Sequence, residues 1–349
     1  VILVDGGQLL SCYVHNNKAS NSERGCIYVY YNNNSHSSTI SHCRIENNKA
    51  QHGGGIYSRA GNYRVNIINN LIVGNEATMR GGGVYAGSGS NPPANVWLLN
   101  NTIMNNHVSH NSASEGGNGD GSGVFAEGGI YAYNNVIANN TGPDGCRQVA
   151  NSNKGGNFWF EYNAIQNLDV IDWTAESGSA INQNNINLTG NEDLFDSTTN
   201  YVPAFNSLLV NKGSKVKHPD YVPNSAALVD LKGDRRVQGG QIDIGAYEYE
   251  TPPFEVQIVL HGTGVRPYNG EQYIVTASTD PVGLPVTITY NGSPEPPYAA
   301  GSYSVYADVD CWRDDVYYNG SAVDTLEIII EQFVTITAST DGNGTIEPA

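Results

Sequence analysis

Between Asn106 and Val124 the sequence carries HVSHNSASEGGNGDGSG, a stretch about twice as long as its counterparts elsewhere. His107, His110, Glu115 and Asp120 bring imidazoles and carboxylates together, the groups of general acid–base or metal chemistry. Asn118, Asp120 and Ser122 alternate ahead of Gly123, as oxygen ligands do at the start of a calcium loop. The twelfth position from Asn118 is Gly129, where an EF-hand places Glu, so calcium could bind there only with oxygens from elsewhere. No cofactor is required by the sequence, and a solvated loop is the plain alternative. A second charged group, Asp230, Asp234, Arg235, Arg236, Asp243 and Glu248, is spaced so that Arg236 is expected to pair with Asp243 or Asp230 and lock a loop.

The third group is aromatic. Tyr28, Tyr57, Tyr85 and Phe125 each follow a branched apolar residue, Ile27, Ile56, Val84 and Val124. Side chains alternate along a strand, so if the aliphatic residue faces inward the ring faces outward. A stacked outward row would offer ring faces and phenol hydroxyls to sugars, or form a ladder covered by a loop. Trp97 and Tyr63 fall in neighbouring strands or turns and would extend such a face.

The elements that must position these residues are repeats. CYVHNNKA from Cys12, CRIENNKA from Cys43, NLIVGNEA from Asn70, NTIMNNHV from Asn101 and NVIANNTG from Asn135 align, their starts separated by 31, 27, 31 and 34 residues (43−12, 70−43, 101−70, 135−101). A period near 30, with apolar runs too short for helices and Asn and Gly between them, indicates a β solenoid. Stacking each coil on the last at about 4.8 Å places like residues on like. Val14, Ile45, Ile72, Ile103 and Ile137 then fill the core. Asn17, Asn48, Asn75, Asn106 and Asn140 form a corner column that passes amide hydrogen bonds between coils and tolerates left-handed dihedrals. The triplets in HGGGIY at His52 and RGGGVY at Arg80 lack the Lys and Ser/Thr of a phosphate loop and read as tight corners. Cys12 and Cys43 share a column, but stacked side chains point the same way, which favours two buried thiols over a bridge. Cys146 in GPDGC marks a turn.

Carbohydrate chemistry on a solenoid needs paired carboxylates on adjacent coils, or calcium with a Lys or Arg base. Glu46 and Glu76 are offset by one column, and Lys18 and Lys49 share one as turn lysines. The 349-residue chain has a formal net charge of −17 and a pI of about 4.7, which argues against nucleic acid and anionic membrane surfaces as partners. No apolar run is long enough to span a bilayer. The beginning reads as a strand entered midway and the end as a module just begun, as expected of a fragment.

The text CRIENNKAQHGGGIY and LIVGNEATMRGGGVY resembles the repeats of polymorphic outer-membrane proteins, within the pectate-lyase-like (pectin lyase-like) right-handed β-helix superfamily. That resemblance implies a right-handed parallel β-helix and leaves activity open, because the superfamily holds lyases, hydrolases, adhesins and stalks. Asp230, Gly233 and Arg236, followed by DIGAYE at Asp243 to Glu248, resemble the choice-of-anchor Q domain, which implies a secreted bacterial surface protein and a region closing the helix. The Tyr-Asn-Gly turns at Tyr268, Tyr290 and Tyr318 are similar to those of an MBG-type module. The expected chain is therefore all-β: a right-handed parallel β-helix over 1–184, a loop-rich C-terminal cap over 185–250, a small antiparallel β domain over 251–331 and the start of a repeat over 332–349. The function these features suggest is that of an extracellular or cell-surface adhesin that presents a solenoid face to polysaccharide or host protein without catalysis. A polysaccharide lyase or glycoside hydrolase on the same fold, and a structural stalk, are the alternatives.

Overall fold

The computed structural model describes residues 1–331 apart from 5, 20–24, 31–35, 61–62, 89–94, 110–120, 144–146, 153–155, 175–177, 198–199, 218–227 and 239. Residues 1–251 form one unit and the chain from Pro252 a second. The first unit is a right-handed parallel β-helix. Its described residues form three long parallel sheets, each strand paired with its equivalent one coil away. The first sheet runs from Ile2–Val4 to Val149–Asn151, the second from Gln8–Leu10 to Ala180–Gln183, and the third from Tyr13–His15 to Ile186–Leu188. A short fourth sheet, Lys49–His52, Glu76–Arg80 and His107–Val108, follows the third.

Period-2 alternation in each short strand sends one set of side chains into the bore. Ile27, Ile56, Val84 and Val124 stack in register on the first sheet, and Ile45, Ile72, Ile103 and Ile137 on the third. All eight are fully buried, each stabilising the coil by roughly 1.5–3 kcal/mol of transfer free energy. The far end of the bore is plugged by rings, with Trp173 packing on Phe158 and Phe160 at 5.4 and 5.6 Å, beside Leu168 and Ile171.

Two asparagine ladders run along the solenoid. At the corner after the third sheet, Asn17, Asn48, Asn75, Asn106 and Asn140 each donate through Nδ2 to the next residue's side-chain oxygen at 2.8–3.0 Å, ending on Gln148. At the corner before it, Asn70, Asn101, Asn135 and Asn163 do the same, ending on Asn185. The ladder residues are not themselves left-handed, as the sequence suggested. That conformation falls one residue earlier, at Asn16, Asn47, Asn105 and Asn139, with φ of 53–54°. The division is physical: one residue turns the backbone, which frees the next to point inward and bond along the axis.

Glycine fills the corner into the first sheet because nothing else fits. Gly53 has φ 57°, and a Cβ on Gly54 would stand 2.5 Å from the Gly82 carbonyl oxygen on the next coil. The triplets are thus corners that let coils touch, as expected.

The described residues after Leu188 pack on the side of the helix and not, as expected, over its end. They fold back along the outer surface of the third sheet as a lateral strap. Leu194, Leu209 and Ile244 cover Leu71, Met104, Val136 and Ala164. Asn134 exchanges hydrogen bonds with both backbone groups of Ser214, and Ala246 N–H donates to Thr102 Oγ1 at 3.0 Å. The reason lies in the middle of the third sheet, where the outward Leu71, Val73, Met104, Val136, Ala138 and Ala164 would otherwise face water.

The second unit is built on a long hairpin, Gly301–Arg313 and Val316–Ile329, turned by Asp314 and Asp315 at φ 52° and 63°. Thr287–Tyr290 adds antiparallel to one side. On the other side Phe254–Glu255 and Gly264–Pro267 pair parallel to the second hairpin strand, so the sheet is mixed rather than purely antiparallel. Between those two segments the chain leaves to pair Gln257–His261 with Thr276–Asp280. Val275, Tyr290, Val305, Leu326 and Ile328 form its core. The repeat expected from 332 lies outside the described residues.

Candidate functional site

The column Tyr28, Tyr57, Tyr85, Phe125 is in register and stacked: Tyr57 and Tyr85 lie 4.8 Å apart with planes 4° from parallel, and Tyr85 and Phe125 5.3 Å apart. It points away from the bore, as alternation requires, yet Tyr28, Tyr85 and Phe125 are only 4%, 5% and 0% exposed. His52 packs at 5.1 Å from the Tyr85 ring and Arg80 lies over Phe125. The Tyr85 hydroxyl donates to Glu127 at 2.7 Å, and burial, with that carboxylate beside it, pushes the phenol far above its usual range. Of the two arrangements expected for these four residues, Tyr28, Tyr85 and Phe125 take the covered ladder, while Tyr57 is half-exposed. Outwardness relative to a sheet is not exposure when neighbouring side chains close over it.

The second sheet carries an aromatic column that remains half-exposed. Trp97, Tyr131 and Trp159 are in register on consecutive coils, with Asn66 and Thr39 preceding them. Trp97 and Tyr131 stack at 4.9 Å and 20°, and Tyr131 meets Trp159 at 5.0 Å and 83°. Arg64 lies over Trp97 with its guanidinium carbon 4.1 Å from the ring centroid, cation–π geometry. The polar edges are tied down: Trp97 Nε1 donates to Asn95 Oδ1, Asn157 Nδ2 to the Tyr131 hydroxyl, and Trp159 Nε1 to Ser179 Oγ, at 2.7–2.8 Å. Trp97, expected to extend an aromatic face, lies in this column. Tyr131 and Trp159 were missed, although NVWLL, GIYAY and NFWFE each place an aromatic at the centre of a block, 34 and 28 residues apart (131−97, 159−131). Tyr63 is exposed just before this sheet's Val65–Ile68 strand.

The charged motif is a lock of another design than expected. Arg236, fully buried, pairs with Glu248 at 2.5 Å and also donates to the Gly245 carbonyl. It does not pair with Asp230 or Asp243. Asp230 Oδ1 instead accepts the amides of Lys232, Gly233 and Asp234, and its Oδ2 accepts that of Glu248. Asp243 accepts from Asn211 and Tyr249, while its own amide donates to Glu248. Backbone amides occupy the Asp230 and Asp243 carboxylates, and Glu248 is the carboxylate that accepts from Arg236. Burial pushes the Asp243 carboxyl up to about 6 and raises Glu248 well above the carboxylate range.

Ser122 is buried and donates to the Arg147 carbonyl, so its hydroxyl is turned into the solenoid. Asn118 and Asp120, with His110, Glu115 and Cys146, lie outside the described residues. His107 is exposed and its ring meets Thr141 Oγ1 at 3.0 Å. Among the described residues no group of three or more His, Cys, Asp or Glu could hold a metal. The acids on the coils serve the scaffold: Glu46 accepts from Tyr13 and Arg44, Glu76 pairs with Lys49, and Glu161 with Lys217. Cys12 and Cys43 are free thiols, and burial pushes Cys43 up to about 11.

Residues 8–103 match the family described as right handed beta helix region, and residues 258–332 match the family described as MBG domain. No curated protein and no solved structure matches the chain. No described helix is long and apolar enough to cross a membrane. A β-helix joined to an MBG domain fits a cell-surface or adhesin-like protein.

Proposed function

We propose that this chain is a non-enzymatic binding protein of the bacterial cell surface or extracellular space, and that it holds glycan on the outer face of its second sheet. The observation carrying this is the half-exposed column Trp97, Tyr131, Trp159 on a rigid parallel sheet, with every ring's polar edge fixed by a neighbour. Rigid aromatic side chains lose little conformational entropy on binding and bring large apolar area, which suits the apolar faces of sugar rings. Support for a non-catalytic role comes from the coil carboxylates Glu46, Glu76, Glu127 and Glu161, each engaged with a scaffold partner rather than set as a facing pair in a groove.

The test is a panel of soluble polysaccharides incubated with the chain, read for binding and for new reducing ends. Binding without release is expected. Release of sugar from any polymer would overturn the non-enzymatic part, and absence of binding to every polymer would overturn the glycan part.

A further inference from the structure

The three rings of the second sheet do not have equal access to a ligand. Neighbouring strands of one sheet succeed each other along the solenoid axis. Arg64 belongs to the coil before Trp97 and Tyr131 to the coil after it, so the guanidinium and the phenol ring cover opposite faces of the indole. Tyr131 stacks on Trp97 and meets Trp159 in a T-shaped pair, so it has a ring neighbour on each side. Sugar stacking needs an open face, and these two rings offer edges. Trp159 is rotated 83° from Tyr131, so the two are not stacked face to face, and its in-register neighbour on the next coil is the aliphatic Ile181. Its indole N–H is held by the exposed Ser179, whose hydroxyl also meets Asn157 Oδ1 at 3.3 Å.

Resting on the glycan reading above, we infer that Trp159 is the stacking platform for one neutral pyranose unit, with Asn157 and Ser179 beside it as hydrogen-bonding partners for sugar hydroxyls. Arg64, Trp97 and Tyr131 form the stem that holds this platform rigid and are not themselves contact surface. Charge selects the class of sugar. The chain carries a net −17; among the described residues the cation stacked on this column, Arg64, sits on Trp97 at its far end, two coils from Trp159, and the nearer Lys217 is paired with Glu161. A polyuronate would approach against the field of the whole chain, whereas a neutral glycan is indifferent to it.

The test is affinity electrophoresis of the full chain through gels containing hydroxyethylcellulose, laminarin, galactomannan or polygalacturonate, repeated with Trp159→Leu, Trp159→Phe and Trp97→Leu. At least one neutral polymer should retard the wild type and polygalacturonate should not. Trp159→Leu should weaken that binding at least tenfold, Trp159→Phe should retain part of it, and Trp97→Leu should change it less than about threefold while lowering the urea midpoint. Trp159→Phe keeps a ring in place, so it decides the matter if the leucine variant unfolds: a dissociation constant equal to wild type in every Trp159 variant that folds would sink this assignment while leaving glycan binding intact. Loss on Trp97→Leu in place of Trp159, or equal retardation by polygalacturonate, would also overturn it. Failure of every neutral polymer to retard the wild type would overturn the glycan reading itself.

Discussion

Asn106 lies in the middle of the longer ladder and is fully buried. Its Oδ1 accepts from the Asn75 amide and from Asn75 Nδ2, at 2.9 and 3.0 Å. Its Nδ2 donates to the Ile72 carbonyl and to Asn140 Oδ1, both at 2.9 Å. In Asn106→Ala the Asn75 side chain keeps its bond to Ile45 O and Asn140 Oδ1 keeps the Asn106 amide. The Asn75 backbone N–H loses its acceptor and the Ile72 carbonyl loses a donor. Each such loss in a site closed to water costs about 1–3 kcal/mol, so with the small void the total is about 3–5 kcal/mol. Asn106→Asp retains the shape and the first acceptor, but its second oxygen faces two acceptors, so it should cost as much at neutral pH. The end residue Asn17 is exposed, and water replaces what Asn17→Ala removes, so that variant should cost under about 1 kcal/mol. Urea denaturation followed by circular dichroism, with m values compared, reads these differences. Equal costs for Asn17→Ala and Asn106→Ala, or an Asn106→Asp variant as stable as wild type, would refute the ladder as a source of stability.

Other expectations follow from the same geometry. Gly54→Ala should destabilise by about 3 kcal/mol or more, because its Cβ meets backbone atoms of the next coil, whereas Gly240→Ala meets nothing within 4 Å and should cost about 1 kcal/mol of backbone strain, both read by urea midpoint. Arg236→Met leaves Glu248 buried without its partner and should cost about 3–5 kcal/mol, with the strap becoming the first site of limited proteolysis. Asp243 has a folded pKa raised to about 6 by burial, with Arg236, Asp230 and Glu248 as its charged neighbours. Its contribution is therefore full below the unfolded value of 3.8 and is lost as pH rises through about 6, so the wild type should lose stability between pH 4 and 7 and Asp243→Asn should flatten that slope. Iodoacetamide at pH 8 should modify the half-exposed Cys12 in the native chain and reach Cys43 only after unfolding, as mass mapping would show.

Much of the scaffold was legible because a solenoid repeats its physics. The column Val14, Ile45, Ile72, Ile103, Ile137 appears in the sequence as a column and in the structure as a buried stack. The Asn column and the glycine corners likewise follow from nearest-neighbour stacking alone. The first-sheet aromatics show where that reasoning stops. Period and alternation placed Tyr57 and Tyr85 correctly in one outward row, but His52 and Arg80 come from a different sheet, and their approach has no signature in the repeat.

By itself, then, the sequence determined the coil: its period, its inward residues, its polar ladders and its turns, because each depends on a residue and its equivalent one coil away. Only the tertiary structure decided which outward faces are covered. The return of Leu194, Leu209 and Ile244 over the third sheet, and the choice of Glu248 rather than Asp243 for Arg236, depend on contacts between segments that share no repeat. The ring angles that set Trp159 apart from Trp97 and Tyr131 are of the same kind. They are settled by packing against Arg64, Asn157 and Ser179, which no spacing encodes.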